Sequence, residues 1–151
     1  MRPATLVAYE HGRLDDLVAM WRTSFEHGVG IVDWHPIAEQ RAAFLNEVLP
    51  ANDVRFAMLD GQLVGFAAAS RDSVAQLHVR VGFHRRGIGS LLLAWAKQQS
   101  GGRLWLYTFA CNTGARAFYE HHGFAATAFG HEPHWRLDDV RYEWTAPARP
   151  P

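Results

Sequence analysis

Residues 79–93 read Val79-Arg80-Val81-Gly82-Phe83-His84-Arg85-Arg86-Gly87-Ile88-Gly89-Ser90-Leu91-Leu92-Leu93: a strand, a basic glycine-bearing turn, then a helix. This join constrains the fold more than any other stretch. The helix carries Ile88, Leu91, Leu92 and Trp95 as an apolar stripe and ends at Gly101-Gly102. A strand over residues 103–109 follows at once and completes a β-α-β unit. The turn also exposes backbone N–H groups at a helix N-terminus, beside Arg85 and Arg86. That is a site for a phosphate-bearing ligand.

The flanks extend the pattern. Residues 5–9 read as a short strand. Leu14, Leu17, Val18, Trp21 and Phe25 recur at helical spacing until Gly28-Val29-Gly30 breaks the helix. Pro36 suits the first position of a second helix, which buries Phe44, Leu45, Val48 and Leu49 and ends by Pro50. Val54, Phe56 and Met58 alternate with Arg55 and Ala57, and Asp60-Gly61 is a two-residue hairpin signal. Residues 63–69 and 73–80 continue an antiparallel meander. On the 103–109 strand, Leu104 and Leu106 take one face, and Trp105, Tyr107 and Phe109 the other. Asn112 can cap a short helix with Ala115, Phe118, Tyr119 and His122 on one face, closed by Gly123. Residues 124–129 and 140–145 read as the last two strands. The layout is α+β around a central sheet, not an alternating doubly wound one.

Composition narrows the function classes. A chain of 151 residues, 48% hydrophobic and 20% charged, implies one domain over residues 1–145 and a frayed proline-rich tail over 146–151. Formal net charge is +0 with histidine neutral, so no global field favours nucleic acid or a membrane as partner. The nine histidines turn the charge positive as pH falls toward the imidazole range. A single cysteine, Cys111, excludes an internal disulfide framework and fits a reducing cytoplasm. Met1-Arg2-Pro3-Ala4-Thr5 lacks the apolar core of a secretory leader, and no run is long and apolar enough to span a bilayer. The expectation is a cytoplasmic protein.

Three nucleotide-binding readings can be tested on the glycine turn. A P-loop ends in Gly-Lys-Ser/Thr, and here Gly89-Ser90 lacks the lysine. A dinucleotide fingerprint needs a third glycine where Leu92 stands. A pyrophosphate cradle for coenzyme A needs glycines for close approach, a helix N-terminus and arginines, all of which are present.

At these residues the chain resembles the GNAT superfamily of N-acetyltransferases. The stretch from Gln76-Leu77-His78-Val79 to Gly87-Ile88-Gly89-Ser90-Leu91-Leu92 is similar to the family's acetyl-CoA motif. Residues 104–109, Asn112, Ala115, Phe118-Tyr119-Glu120 and Gly123-Phe124 are similar to its second motif, in the same order and separation. Asp139-Val140-Arg141-Tyr142-Glu143-Trp144 resembles the closing strand of one bacterial branch. The resemblance implies the acyl-CoA N-acyltransferase fold: a central mixed, mostly antiparallel sheet with a splayed parallel strand pair, flanked by helices. It implies acetyl-CoA as co-substrate. His84, Arg85, Arg86, Gly87, Ile88, Gly89 and Ser90 would wrap the pyrophosphate, mostly through backbone N–H groups. Leu77, His78 and Val79 would pair with the pantetheine arm as if it were another strand, and Asn112 would hydrogen-bond it. Ala115, Phe118 and Tyr119 would line the thioester end, with Tyr119 donating to the departing thiolate.

The chain departs from the family pattern at three places. His84 stands where Arg or Gln is usual, and Val81 stands near a usual proline. Ser73 and Ala75 occupy positions near which many members place the acid that deprotonates the acceptor. Another group, a water relay or a neutral acceptor must replace that acid. His78 alternates with Leu77 and Val79, so it is either a proton carrier or a residue of the opposite sheet face. Glu26, His27, Asp33 and His35 lie where the family's substrate wall forms. His131-Glu132-Pro133-His134-Trp135 matches no zinc spacing, so no metal is expected there; a solvated loop is the default and a substrate-facing base the sharper reading. Cys111 has no adjacent His-Asp arrangement and reads as structural rather than nucleophilic.

The reading is an acetyl-CoA-dependent N-acetyltransferase that moves an acetyl group to an amine by direct attack in a ternary complex. The alternative is a non-catalytic acyl-CoA-binding or regulatory module of the same fold. The acceptor, the general base and the length of the acyl group stay open. So does a homodimer built on the last strands and exposed aromatics.

Overall fold

The computed structural model describes residues 2–148; of the expected tail, Arg149, Pro150 and Pro151 lie outside the described residues. The chain runs β1 (Thr5–Ala8), a 3-10 turn (His11–Arg13), α1 (Leu14–Val29), α2 (Ile37–Ala43), a π turn (Phe44–Val48), α3 (Leu49–Ala51), β2 (Asp53–Leu59), β3 (Gln62–Ala69), β4 (Val74–Val79), α4 (Ile88–Gln99), β5 (Arg103–Phe109), α5 (Thr113–His121), β6 (Ala125–Glu132) and β7 (Leu137–Thr145).

Two antiparallel sheets form, ordered β1-β2-β3-β4 and β5-β7-β6. The β2–β3 hairpin turns at Asp60 and Gly61, whose φ angles of 49° and 78° are both left-handed, as a tight primed turn requires. Between β3 and β4 the register shifts: Ala68 faces Gln76 but Ala69 faces Val74. Ala75 is therefore the extra residue of a β-bulge.

Helices cover both faces of the first sheet. Leu14, Leu17, Val18 and Met20 of α1 pack with Phe44, Phe56 and Phe66. Ile88 and Leu92 of α4 pack with Ala57, Val64 and Ala67. Leu93 and Ala96 turn toward the second sheet, joining Leu104, Leu106, Val140, Tyr142 and Tyr119 of α5. One α4 helix thus welds the sheets together. Each fully buried leucine or phenylalanine here contributes about 1.5–3 kcal/mol of transfer free energy.

Several expectations shift. The buried face of α4 is Ile88, Leu92, Leu93 and Ala96, whereas Leu91 is exposed, because a helix seated against two sheets buries a wider arc than one stripe. The second helix does not stop before Pro50. It passes through the π turn, where Leu49 N–H reaches back to Phe44 O, and ends at Ala51, one residue past Pro50. Pro36 is the residue before that helix rather than its first. Strands β6 and β7 reach Glu132 and start at Leu137, so the gap between the strands expected over 124–129 and 140–145 shrinks to a tight turn at residues 133–136. Arg136 takes a left-handed φ of 55° there.

Candidate active site

β4 and β5 run parallel and meet once. Ser73 bridges Trp105, whose N–H donates to Asp72 O at 2.9 Å. Beyond that point the bulge at Ala75 bends β4 away, and a cleft of about 1370 Å³ opens between the strands. Small-ligand pockets usually span about 300–1,000 Å³, so this one has room for a long ligand and a second molecule. The edge of β4 that faces β5 carries no ladder here, which leaves Leu77, His78 and Val79 with free backbone groups on the cleft wall.

One end of the cleft is the N-terminus of α4. Gly87 precedes the helix at φ 77°, with no capping side chain, so the first-turn N–H groups at Ile88, Gly89 and Ser90 stay free for an anion. A Cβ on Gly89 would sit 3.2 Å from the Phe118 ring, so this glycine permits the close approach of α4 and α5. His84 and Arg85 line the same end. Burial, then the charge of nearby His27, lowers the His84 pKa; the two rings lie 5.7 Å apart. Arg86 adjoins this end, outside the cleft lining, with its guanidinium 5.1 Å above the Phe83 ring. Arg85 takes a left-handed φ of 62°.

At the middle of the cleft stands Tyr119. It is 8% exposed and packs against Phe118, Phe124 and Tyr142. Among the described residues none hydrogen-bonds its hydroxyl. Burial pushes its pKa above the ordinary phenol value, so it holds its proton. Ala115 and Phe118 line the cleft beside it. Asn112 caps α5, its Oδ1 accepting from Ala115 N–H at 3.1 Å. It also packs on α1: a Cβ on Gly28 would lie 2.7 Å from its Nδ2.

The His78 ring leaves the cleft edge for the α1 side, where it stacks on Phe66 at 5.5 Å. Gln76 Oε1 can only accept, so His78 Nε2 donates to it at 2.8 Å, and Nδ1 accepts from Ser24 Oγ at 2.9 Å. Burial pulls its pKa down to about 4. His78 is thus neutral at pH 7, with both ring nitrogens already engaged by Ser24 and Gln76.

The far end is built by residues 30–36 and the β6–β7 turn. Asp33 Oδ1 accepts from His35 Nδ1 at 2.7 Å and from His35 N–H at 2.9 Å. Arg22 approaches Asp33 Oδ2 at 3.5 Å and donates to the His35 carbonyl. Burial raises the Asp33 pKa, but the His35 hydrogen bonds and the Arg22 charge outweigh it and hold the carboxyl below its ordinary value. His35 Nε2 lies 2.8 Å from His134 Nε2, and the two rings stack. Glu132 accepts from the N–H groups of His134 and Trp135 at 3.1 and 2.6 Å, and Glu26 from Asp33 N–H at 2.6 Å. Phe25, Phe109 and Trp135 form an aromatic wall.

Thus Asp33 and His35 meet His134, while His27 goes to the other end with His84. His131 leaves the group and pairs with Asp138 on the outside at 2.9 Å. Among the described residues no three His, Cys, Asp or Glu side chains gather around a metal position. Cys111 is exposed, its Sγ 3.8 Å from Val29 O. Sequence reasoning missed the His35–His134 pair and the Ser24–His78–Gln76 chain. The one available signal for the pair was that each histidine adjoins a tryptophan in a candidate substrate loop.

The family model for the acetyltransferase (GNAT) family matches residues 14–124. The chain belongs to the GNAT acetyltransferase family. Solved structures agree on the fold. A GCN5-related N-acetyltransferase from Rhodopseudomonas palustris superposes with a TM-score of 0.78 at 19% identity, over 96% of this chain and 97% of that one. Apo YjaB from Escherichia coli gives 0.78 at 19% identity, over 97% and 100%. PaiA N-acetyltransferase from Thermoplasma acidophilum, solved in complex with coenzyme A, gives 0.76 at 19% identity, over 95% and 99%. No curated protein matches the chain. Among the described residues no helix is long and apolar enough to cross a membrane. This GNAT chain thus has the family's splayed strand pair, with a bulge but no carboxylate at Ala75.

Proposed function

We propose that the chain is an acetyl-CoA-dependent N-acetyltransferase acting on an amine by direct attack in a ternary complex. The observation that carries the reading is one continuous cleft with an uncapped helix N-terminus at one end, an unpartnered Tyr119 hydroxyl at its middle and a polar, aromatic-walled chamber at the other. The α4 N-terminus and Arg85 hold the pyrophosphate through backbone N–H groups and charge. The free edge of β4 takes the pantetheine amides as an added strand. The thioester then lies near the bulge, where a backbone N–H polarises its carbonyl. The amine attacks from the His35–His134 side. As the C–S bond breaks, Tyr119 donates to the sulfur.

Two measurements test this. Calorimetry with acetyl-CoA and CoA reads the cofactor half. Thiol release across amines, amino acids and peptides reads transfer. Tight CoA binding with turnover on no acceptor would replace the enzyme by a binding module, the reading that the acid-free bulge at Ala75 favours.

A further inference from the structure

Resting on the transferase reading, we propose that His134, backed by His35 and Asp33, takes the proton that the acceptor's ammonium must lose. A protonated amine has no lone pair for attack, and the bulge offers only the methyl group of Ala75. The chain Asp33–His35–His134 supplies the missing base from the opposite wall of the same cleft.

Its proton arrangement follows from the partners. The Asp33 carboxylate can only accept, so His35 carries its proton on Nδ1. Neutral His35 therefore offers its Nε2 lone pair to His134, 2.8 Å away, and His134 Nε2–H donates to it. That leaves the Nδ1 lone pair of His134 free. A proton taken there lets the Nε2 proton pass to His35, and the positive charge comes to rest beside Asp33. The Asp33 carboxylate is 7% exposed and its charge is secured by Arg22. Other polar groups that line the cleft from these elements are Glu26 on α1, Glu39 and Gln40 on α2, and Glu132 and Asp139 on β6 and β7. Glu26 and Glu132 are committed to backbone N–H groups. Among the described residues no third His, Cys, Asp or Glu side chain joins the pair at a metal position.

The reaction balances. R–NH3+ gives one proton to His134, and R–NH2 forms the C–N bond as the C–S bond breaks. Tyr119 gives its proton to the CoA sulfur, and the nitrogen's second proton restores the phenol. The imidazolium returns its proton to water, so the products are the amide, CoASH and H+.

The test separates acceptors by charge at pH 7, using an arylalkylamine panel led by 2-phenylethylamine and an arylamine panel led by aniline. The first group arrives protonated and needs a base; the second arrives neutral. His134→Ala should lower kcat/KM for the arylalkylamines about 100-fold or more and leave the arylamines within about threefold, since general-base catalysis is worth about 10²–10⁴. Asp33→Asn should give the same selective loss and move the acid limb of the pH profile, because the amide offers His35 no carboxylate charge. CoA affinity should be unchanged in both. Equal losses on both amine classes, unchanged arylalkylamine rates, or weakened CoA binding would each overturn the relay. If the unaltered protein binds CoA yet turns over none of these amines and no amino acid or peptide, the transferase reading itself falls and takes the relay with it.

Discussion

The two ends of the cleft are made of different material. The α4 end is backbone: left-handed Arg85 and Gly87, an uncapped helix turn, and a glycine that lets two helices touch. All of it comes from one stretch of chain. The far end is side chain: a carboxylate, two imidazoles and an aromatic wall, drawn from α1, the following loop, β5 and the β6–β7 turn. A backbone site binds any ligand with the right charge and tolerates changes in side-chain identity. A side-chain site is chemically particular. This division separates a shared cofactor from an individual acceptor.

Tyr119 stands where the two ends meet, and its replacement sharpens the division most. Tyr119→Phe should lower kcat about 100-fold, the scale of a lost proton donor, with CoA affinity unchanged. Its raised pKa keeps the phenol protonated, so its ionisation should bring no fall in kcat up to pH 10. A Phe variant with full kcat across that range would leave the thiolate without a protein donor. A Phe variant that lost CoA affinity instead would move Tyr119 into the cofactor half.

His78 tests whether the wall behind the acceptor is scaffold or machinery. Its folded pKa of about 4 lies below the ordinary 6.5, so the folded state resists its protonation. The stability this provides is complete above pH 6.5 and is lost as pH falls toward 4. A shift of that size amounts to about 3 kcal/mol at full expression. Denaturant unfolding of the native chain and of His78→Gln should converge in acid and differ in slope across that window. Parallel pH dependences would show that acid unfolding is governed elsewhere.

The same division explains what the sequence reveals. The meander, the Asp60-Gly61 hairpin and the β4–α4 turn are local signals, in which neighbouring residues decide the backbone. The residues proposed for the cofactor end could therefore be named from the chain itself, one local stretch at a time. The empty position at Ala75 was also readable, although the bulge that carries it was not. A bulge is a register mismatch between β3 and β4, and no single strand encodes it. The His35–His134 contact joins residues 99 apart, through a turn whose length was misjudged. Alternation along β6 and β7 is weak, since β6 is exposed almost throughout. The α4 face was misread because one helix serves two sheets.

Gly89→Val probes the backbone end directly. The added side chain must move the Phe118 ring, 3.2 Å from the Cβ position, and crowds the anion site. CoA affinity should weaken about tenfold, or about 1.4 kcal/mol, while the preference between protonated and neutral amines is kept. A changed preference with intact CoA affinity would break the division, since a backbone change would then be read at the side-chain end.

Asn112 gives the smallest effect and sits on the seam. Its Oδ1 caps α5, while its amide packs against Gly28 of α1. Loss of the cap alone in Asn112→Ala costs about 1 kcal/mol of stability. Asn112→Ser keeps a capping oxygen but withdraws the amide from α1. If Asn112 only caps, Ser should restore both stability and CoA affinity. If its amide also holds the pantetheine, Ser should restore stability and leave CoA affinity several-fold weaker, as expected for the loss of one hydrogen bond of about 1 kcal/mol. Unfolding and CoA calorimetry on the two variants thus decide whether the seam belongs to the scaffold or to the cofactor end.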